Sequence, residues 1–399
     1  MFAPKDFSLV FRSQLPTFIQ LVIASLLAHS LSQNDYGVFN LLKNIIIMSY
    51  ALVNFSFERT ALSLHHDYSL QTITRNIIPI RSGIFLLLCI PVALYTLSVD
   101  VVPALIVLTL LCIAPAIADI KYSFDIGQVV EKDVSLVVFR AAPLLLLIPT
   151  ALTIEDGGLI LYAHFGLLLA GYLLYIGLQH THIPGLLGKP ELRHSMEFFL
   201  LSLFVFLGSV GSYLNLFLPT FLIESRLGLD RLAVYSVALT LYMGVLSISA
   251  VITRVAVSYY LRSKRLLGEF AACMKRVLPF WAIILILTLF YGRPVIELVF
   301  GETYVDAYAS LVILLIGLSI APVSMYFNNI LIARGFTRAY ALVSLCALAV
   351  NLVTVLSLIG GRGIISAALS MVASLVALAL LSVYACYRTG AQSRQDLAD

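Results

Sequence analysis

Charge is scarce in this sequence. Only 12% of its 399 residues are Asp, Glu, Lys or Arg, while 61% are hydrophobic. The charged share is about half that of an ordinary soluble domain. A soluble globule of this length cannot hide so much apolar surface, so a bilayer must solvate most of the chain. Several enzyme signatures are missing as well. No G-x-S-x-G, H-E-x-x-H or G-x-x-x-x-G-K-[ST] occurs, which leaves hydrolase, zincin and ATP-driven readings without their usual motifs. The five cysteines are odd in number, lie in or beside apolar runs and lack ligand spacing. They read as small membrane-buried hydrophobes, not as disulfides or metal ligands. His180-Thr181-His182 and His65-His66 lack the geometry of a closed ligand set, so no metal and no cofactor is expected. The net charge of +4 is too small an excess to point to nucleic acid. No small-residue cleavage site follows the N-terminal MFAPKDFSLVFRSQ, so the first apolar run is expected to stay as a permanent span.

What is present is a series of apolar runs. Windows of about 19 residues mark spans near 9–31, 37–57, 77–97, 101–120, 134–153 and 158–179, then 196–223, 232–253, 277–292, 307–333, 340–359 and 363–386. Turn chemistry separates several of them, at Asp156-Gly157-Gly158, Gly228-Leu229-Asp230 and Gly360-Gly361-Arg362-Gly363. The expected fold class is an all-α polytopic membrane protein with about 12 transmembrane helices. With the N-terminus in the cytoplasm, 20 of the 25 Lys and Arg fall on inner segments, and only Arg226, Arg231, Arg293 and Arg362 fall outside. That asymmetry puts both termini in the cytoplasm. The connector from Gln179 to Ser195, with Pro184 and Pro190, divides six spans from six. It predicts an N-terminal lobe over 1–190 and a C-terminal lobe over 191–399, two six-helix bundles around a central cavity.

Charges within spans are costly, roughly 2.5–3.5 kcal/mol each at mid-bilayer on insertion scales. Arg12, Lys43, Arg140 and Arg254 lie in or at the ends of the first, second, fifth and eighth spans. One reading is a cationic cavity that holds an anionic headgroup, with Arg contacting phosphate through two parallel N–H bonds. The other is snorkelling of Arg12, Arg140 and Arg254 to the inner headgroups, and of Lys43 outward over about 9 Å of helix. Arg59 and Asn215 are further candidates for the cavity wall. Every carboxylate lies near an expected interface, and Glu58, beside Arg59, is the best placed for ion coupling. Gly208, Ser209, Gly211, Ser212, Asn215 and Pro219 on the seventh span read first as helix packing and second as a moving gate.

Several stretches carry a family likeness: LSQNDYGVFNLL at 31–42, FSFERTALSL at 55–64, PVIELVFGETYVDAYASLVILL at 294–315, ILIARGFTRAYALVSLCALAVNLV at 330–353 and GGRGIISAALSMVAS at 360–374. In order and spacing they resemble the polysaccharide-transporter branch, the Wzx-type flippases, of the multidrug/oligosaccharidyl-lipid/polysaccharide exporter superfamily. Where that family often carries a glycine after the second span, this chain has Phe55 and Ser56. The resemblance implies a flippase that moves an undecaprenyl-pyrophosphate-linked oligosaccharide, such as an O-antigen, capsule or exopolysaccharide unit, from the inner to the outer leaflet of the bacterial cytoplasmic membrane. It implies no enzymatic step. It assigns Arg12, Lys43 and Arg254 to the pyrophosphate, with the lipid-linked glycan and the bilayer as partners and a glycan polymerase and chain-length regulator as candidates. A cation-coupled exporter of small amphiphiles is the alternative. A membrane glycan polymerase or ligase is a third reading, disfavoured because no large outer loop is expected.

Overall fold

A computed structural model of the chain describes residues 4–65, 67–126, 130–182, 189–263 and 266–395. The side chains of Arg12, Glu58, Arg59 and Arg254 lie outside the described residues. No strand occurs among the residues described; the regular structure is helical throughout. The first helices are α1 (Pro4–Ser30), α2 (Gln33–Asn54), α3 (Phe57–Leu64), α4 (Leu70–Ser98), α5 (Pro103–Ile113), α6 (Lys121–Ile126), α7 (Val130–Ala141), α8 (Leu147–Thr153) and α9 (Gly157–His182). They are followed by α10 (Leu192–Leu227), α11 (Leu229–Ser263), α12 (Leu266–Phe300), α13 (Ala307–Leu318), α14 (Ala321–Ala333), α15 (Thr337–Arg362) and α16 (Ile365–Gln395).

Ten helical segments among the described residues are long and apolar enough to cross a membrane. The pair α13 and α14, bent by 48°, makes an eleventh, and Gln14–Ser30 of α1 is a shorter apolar helix. Each of the twelve apolar runs in the sequence therefore coincides with a helix or an interrupted one, and the protein is a multi-pass membrane protein. Its exposed rows are apolar, as Leu86, Leu87, Ile90 and Leu94 on α4 and Ile283, Ile286, Leu287 and Phe290 on α12 illustrate. At helical spacing such rows face lipid, which is as apolar as they are.

The fourth and fifth spans are interrupted where the sequence alone suggests continuous helices. Pro115 and Pro143 sit in 3-10 turns at Ala114–Ile117 and Ala142–Leu146, because proline lacks the N–H that the α-helical ladder needs. Elsewhere, local chemistry sets the ends. The Ser32 hydroxyl accepts from Asp35 N at 3.1 Å to open α2, and Asp156 Oδ1 accepts from Gly158 N and Leu159 N to open α9. Gly228 (φ 87°) and Gly363 (φ 54°) take the left-handed turns that end α10 and α15. Serines 370, 374 and 382 on α16 donate to carbonyls three residues back in their own helix. Their hydroxyls are thereby satisfied without water.

The chain divides into two compact units, Met1–Phe206 and Leu207–Asp399. This division falls inside α10, not in the connector at 190/191, because the first turns of α10 pack into unit 1. Phe198 lies in a buried cluster with Phe55, Phe57, Ile73, Ile77 and Tyr122, and Phe199, Leu203 and Phe206 pack against that cluster. The start of α10 is also tied down by polar contacts. Arg75 pairs with Glu191, Asn76 Oδ1 accepts from Glu191 N at 2.6 Å and from Ser195 Oγ at 3.2 Å, and Tyr68 Oη donates to Glu197 at 2.9 Å. That last bond raises the Tyr68 hydroxyl above its ordinary pKa. In unit 2, α10 and α15 run side by side. Gly208 faces the Tyr340 ring and Gly211 faces Ser344, so closely that an added Cβ would lie 2.4 Å and 3.1 Å from them. Small residues here admit a second helix.

Candidate functional site

Unit 1 gathers its buried charge at the interruption of the fourth span. Between α5 and α6 the ladder fails, and four backbone groups need partners inside the membrane. His180 Nε2 meets Ala118 O at 3.1 Å, Arg81 donates to Asp119 O, Ile120 N donates to Gln179 Oε1 at 3.2 Å, and Lys121 N donates to Asp119 Oδ1 at 3.0 Å. The break is thus sealed from α4, from α9 and by its own aspartate.

Asp119 itself is 4% exposed and Arg81 is 1% exposed. The carboxylate accepts three hydrogen bonds: Tyr50 Oη to Oδ2 at 2.7 Å, Gln179 Nε2 to Oδ1 at 3.0 Å, and Lys121 N to the same oxygen. Arg81 donates to Asn54 Oδ1 as well as to the Asp119 carbonyl, and its guanidinium lies 5.8 Å and 5.7 Å from the centres of the Phe57 and Tyr122 rings. The guanidinium compensates the aspartate without bonding its carboxylate oxygens. A buried carboxylate survives only when its lone pairs are met this fully.

Arg140 stands one aromatic layer away. The Tyr50 ring stacks on Tyr172 at 5.1 Å with a 21° interplanar angle. The Arg140 guanidinium lies 5.5 Å from the centre of that second ring and 5.9 Å from Tyr175. Among the described residues Arg140 makes no ion pair, and it is half-buried. Its backbone is held by glycine: a Cβ on Gly171 of α9 would meet Arg140 O at 2.1 Å, so α7 and α9 touch main chain to main chain there.

Lys43 lies on the same seam, seven residues before Tyr50 along α2, or about 10 Å of helix rise. It is half-buried. Its Nζ donates to Asn40 Oδ1 at 2.9 Å and sits 5.3 Å from the Phe39 ring centre. His164 of α9 is buried edge-on to Phe39 at 4.8 Å, so basic groups and rings alternate along the packing of α2, α7 and α9. Among the described residues, no three His, Cys, Asp or Glu side chains gather where they could hold a metal ion.

The remaining sequence candidates divide differently. Asn215 lies in unit 2, buried against Asn351, whose Nδ2 donates to Asn215 O at 2.6 Å and to Asn215 Oδ1 at 2.7 Å. Pro219, four residues on, has no N–H to give that carbonyl, and Asn351 replaces it. The side chains of Arg12, Arg254, Arg59 and Glu58 fall outside the described residues. Sequence reasoning missed Arg81, counted with the inner loops, and Asp119, taken for a solvated span end. The available signal was Pro115, which breaks the apolar run four residues before the aspartate.

The chain is similar to known proteins in two ways. Residues 164–309 match the family described as polysaccharide biosynthesis protein. Among solved structures, the lipid II flippase MurJ in an inward closed conformation superposes with a TM-score of 0.77 at 14% identity, covering 96% of this chain and 87% of that one. A MATE in the bent conformation superposes with a TM-score of 0.65 at 15% identity, covering 98% and 96%. A MOP superfamily transporter from Pyrococcus furiosus gives 0.60 at 12% identity, covering 97% and 95%. No curated protein matches by sequence. The chain shares its fold with these flippase and transporter structures.

Proposed function

We propose that the protein is a flippase that carries an undecaprenyl-pyrophosphate-linked oligosaccharide from the inner to the outer leaflet of the bacterial cytoplasmic membrane, with both termini in the cytoplasm. One observation carries the reading. Arg140 and Lys43 are half-buried cations held against aromatic rings on a single seam of membrane-spanning helices. Planar guanidinium and ammonium groups there supply what a pyrophosphate must find when it leaves water. Along α2, Lys43 stands about two helical turns from Tyr50, whose ring leads through Tyr172 to Arg140; in this reading Arg140 is toward the inner end and Lys43 toward the outer. In this proposal Arg12 and Arg254 are further pyrophosphate-binding cations, and no bond is made or broken. The match to a polysaccharide biosynthesis family and the fold shared with MurJ support the same substrate class. In this reading the two lobes alternate access to the two leaflets.

A second reading draws on Asp119. A carboxylate buried in the membrane, joining Glu58 of the sequence reading, is what a cation-coupled exporter of small amphiphiles needs. One experiment separates the two. The gene is deleted in the native host, and lipid-linked oligosaccharides are extracted after leaflet-specific labelling. The flippase reading expects complete oligosaccharide-lipid trapped on the inner leaflet, restored by the wild-type chain but not by Lys43→Ala or Arg140→Gln at equal protein level. Unchanged lipid pools together with lost dye efflux would favour the exporter and overturn the flippase.

A further inference from the structure

Arg140 can receive a phosphate only if its plane is fixed and its N–H edge stays open. The Tyr172 and Tyr175 rings beside it, 5.5 Å and 5.9 Å away, restrict that plane, since a guanidinium prefers to lie flat on an aromatic face. Stacking alone lets rings slide, so something must hold Tyr172 in turn. Its neighbour is Tyr50, whose ring stacks on it and whose hydroxyl is bonded to Asp119 Oδ2. Asp119 is anchored by the main chain of α6, by Gln179 of α9 and, through its carbonyl, by Arg81 of α4. The column Asp119–Tyr50–Tyr172–Arg140 therefore runs from the sealed break of the fourth span to the guanidinium. Asp119 also lies within coulombic range of Arg140, yet the two form no ion pair among the described residues. A counter-charge set two tyrosines away keeps a cation in the membrane without occupying the donors that a ligand would use.

From this column we infer that Asp119 is a positioning residue, which through Tyr50 and Tyr172 holds Arg140 ready for the phosphates of the transported headgroup. The inference rests on the flippase reading and deepens it at the Arg140 station. The groups that contact Asp119 directly are Tyr50 of α2, Arg81 of α4, Lys121 N of α6 and Gln179 of α9.

The test uses the full chain in lipid nanodiscs and inorganic pyrophosphate as the probe, with binding measured by calorimetry. Arg140→Gln should weaken binding about tenfold to a hundredfold, the range of a charge-assisted contact. Tyr50→Phe keeps the ring and the aspartate but removes their link, and should weaken binding about fivefold. Tyr172→Phe keeps the stack and should bind as wild type. Asp119→Asn removes a charge that repels anions, so by electrostatics alone it should tighten binding. Positioning predicts the reverse: weaker binding when Arg140 is present, and unchanged or tighter binding when combined with Arg140→Gln. A purely structural role would weaken both backgrounds alike, and that result overturns the inference while leaving the flippase reading intact. Wild-type affinity in Tyr50→Phe also overturns it, and this variant decides if Asp119→Asn fails to fold. Wild-type affinity in Arg140→Gln removes that station from the flippase reading and the inference with it. If the wild-type chain binds no pyrophosphate, the flippase reading itself falls.

Discussion

Gly171→Ala should impair the protein far more than its size suggests. The added methyl would sit 2.1 Å from the carbonyl oxygen of Arg140 and 3.0 Å from the carbonyl carbon. Ordinary contact begins near 3.4 Å, so α7 and α9 would have to separate by about 1 Å, and the obstacle is helix backbone that cannot rotate away. Overpacking of this kind costs about 1–3 kcal/mol. The larger effect is functional, because the shift displaces Arg140 from the Tyr172 and Tyr175 rings, and a misplacement of about 1 Å at a working group can cost about a hundredfold. The same helix supplies controls, since a Cβ at Gly166 or Gly177 meets nothing within 4 Å. Alanine at either should be neutral or stabilise by up to about 1 kcal/mol, the helix-propensity difference. Thermal unfolding of purified protein, paired with surface glycan in complemented cells, reads both effects. Wild-type stability and glycan in Gly171→Ala would refute the reasoning, as would equal damage from Gly166→Ala.

Asn351→Ala should cost about 0.6 kcal/mol and at most about 1.7 kcal/mol, the average and the maximum for interhelical hydrogen bonds in a membrane protein, because it strips the donor from Asn215 O and Oδ1. In a Pro219→Ala background the restored helical N–H takes over one of those bonds and the loss should shrink; additivity within about 0.5 kcal/mol in a double-mutant cycle would refute this. Ser56 and Phe55 both adopt positive φ, 57° and 51°, a region costing roughly 1–2 kcal/mol for residues with a Cβ. Ser56→Gly should therefore raise the melting temperature. Phe55→Gly should lower it despite the same relief, because the Phe55 ring stacks on Phe199 at 5.0 Å and on Phe206 at 4.1 Å; the same sign for both would sink the argument.

The spans were legible in the sequence because lipid imposes a length and a composition that no side-chain detail can hide. The glycine face of the seventh span was legible for a similar reason, since Gly208 and Gly211 at helical spacing leave room only for a neighbour. Asp119 was not legible. A carboxylate near the end of an apolar run looks the same whether water solvates it or Tyr50, Gln179 and Arg81 surround it, and those partners come from three other spans. Arg140 illustrates the middle case: its charge marked it, but the rings beside it lie more than thirty positions away on α9. Lys43 was marked by its place within the second span, yet its setting beside Asn40 and Phe39 needed coordinates.

The shared helix α10 bears on how the protein can be cut. A fragment ending at residue 190 stops before Phe198, and so leaves Phe55, Phe57 and Tyr122 beside an open slot in their own cluster. Co-expressed halves split in the connector must therefore find each other through that slot, the second half lending its leading turns to the first. A split that leaves residues up to Phe206 on the first fragment instead keeps that cluster whole and leaves each half a blunt helix end.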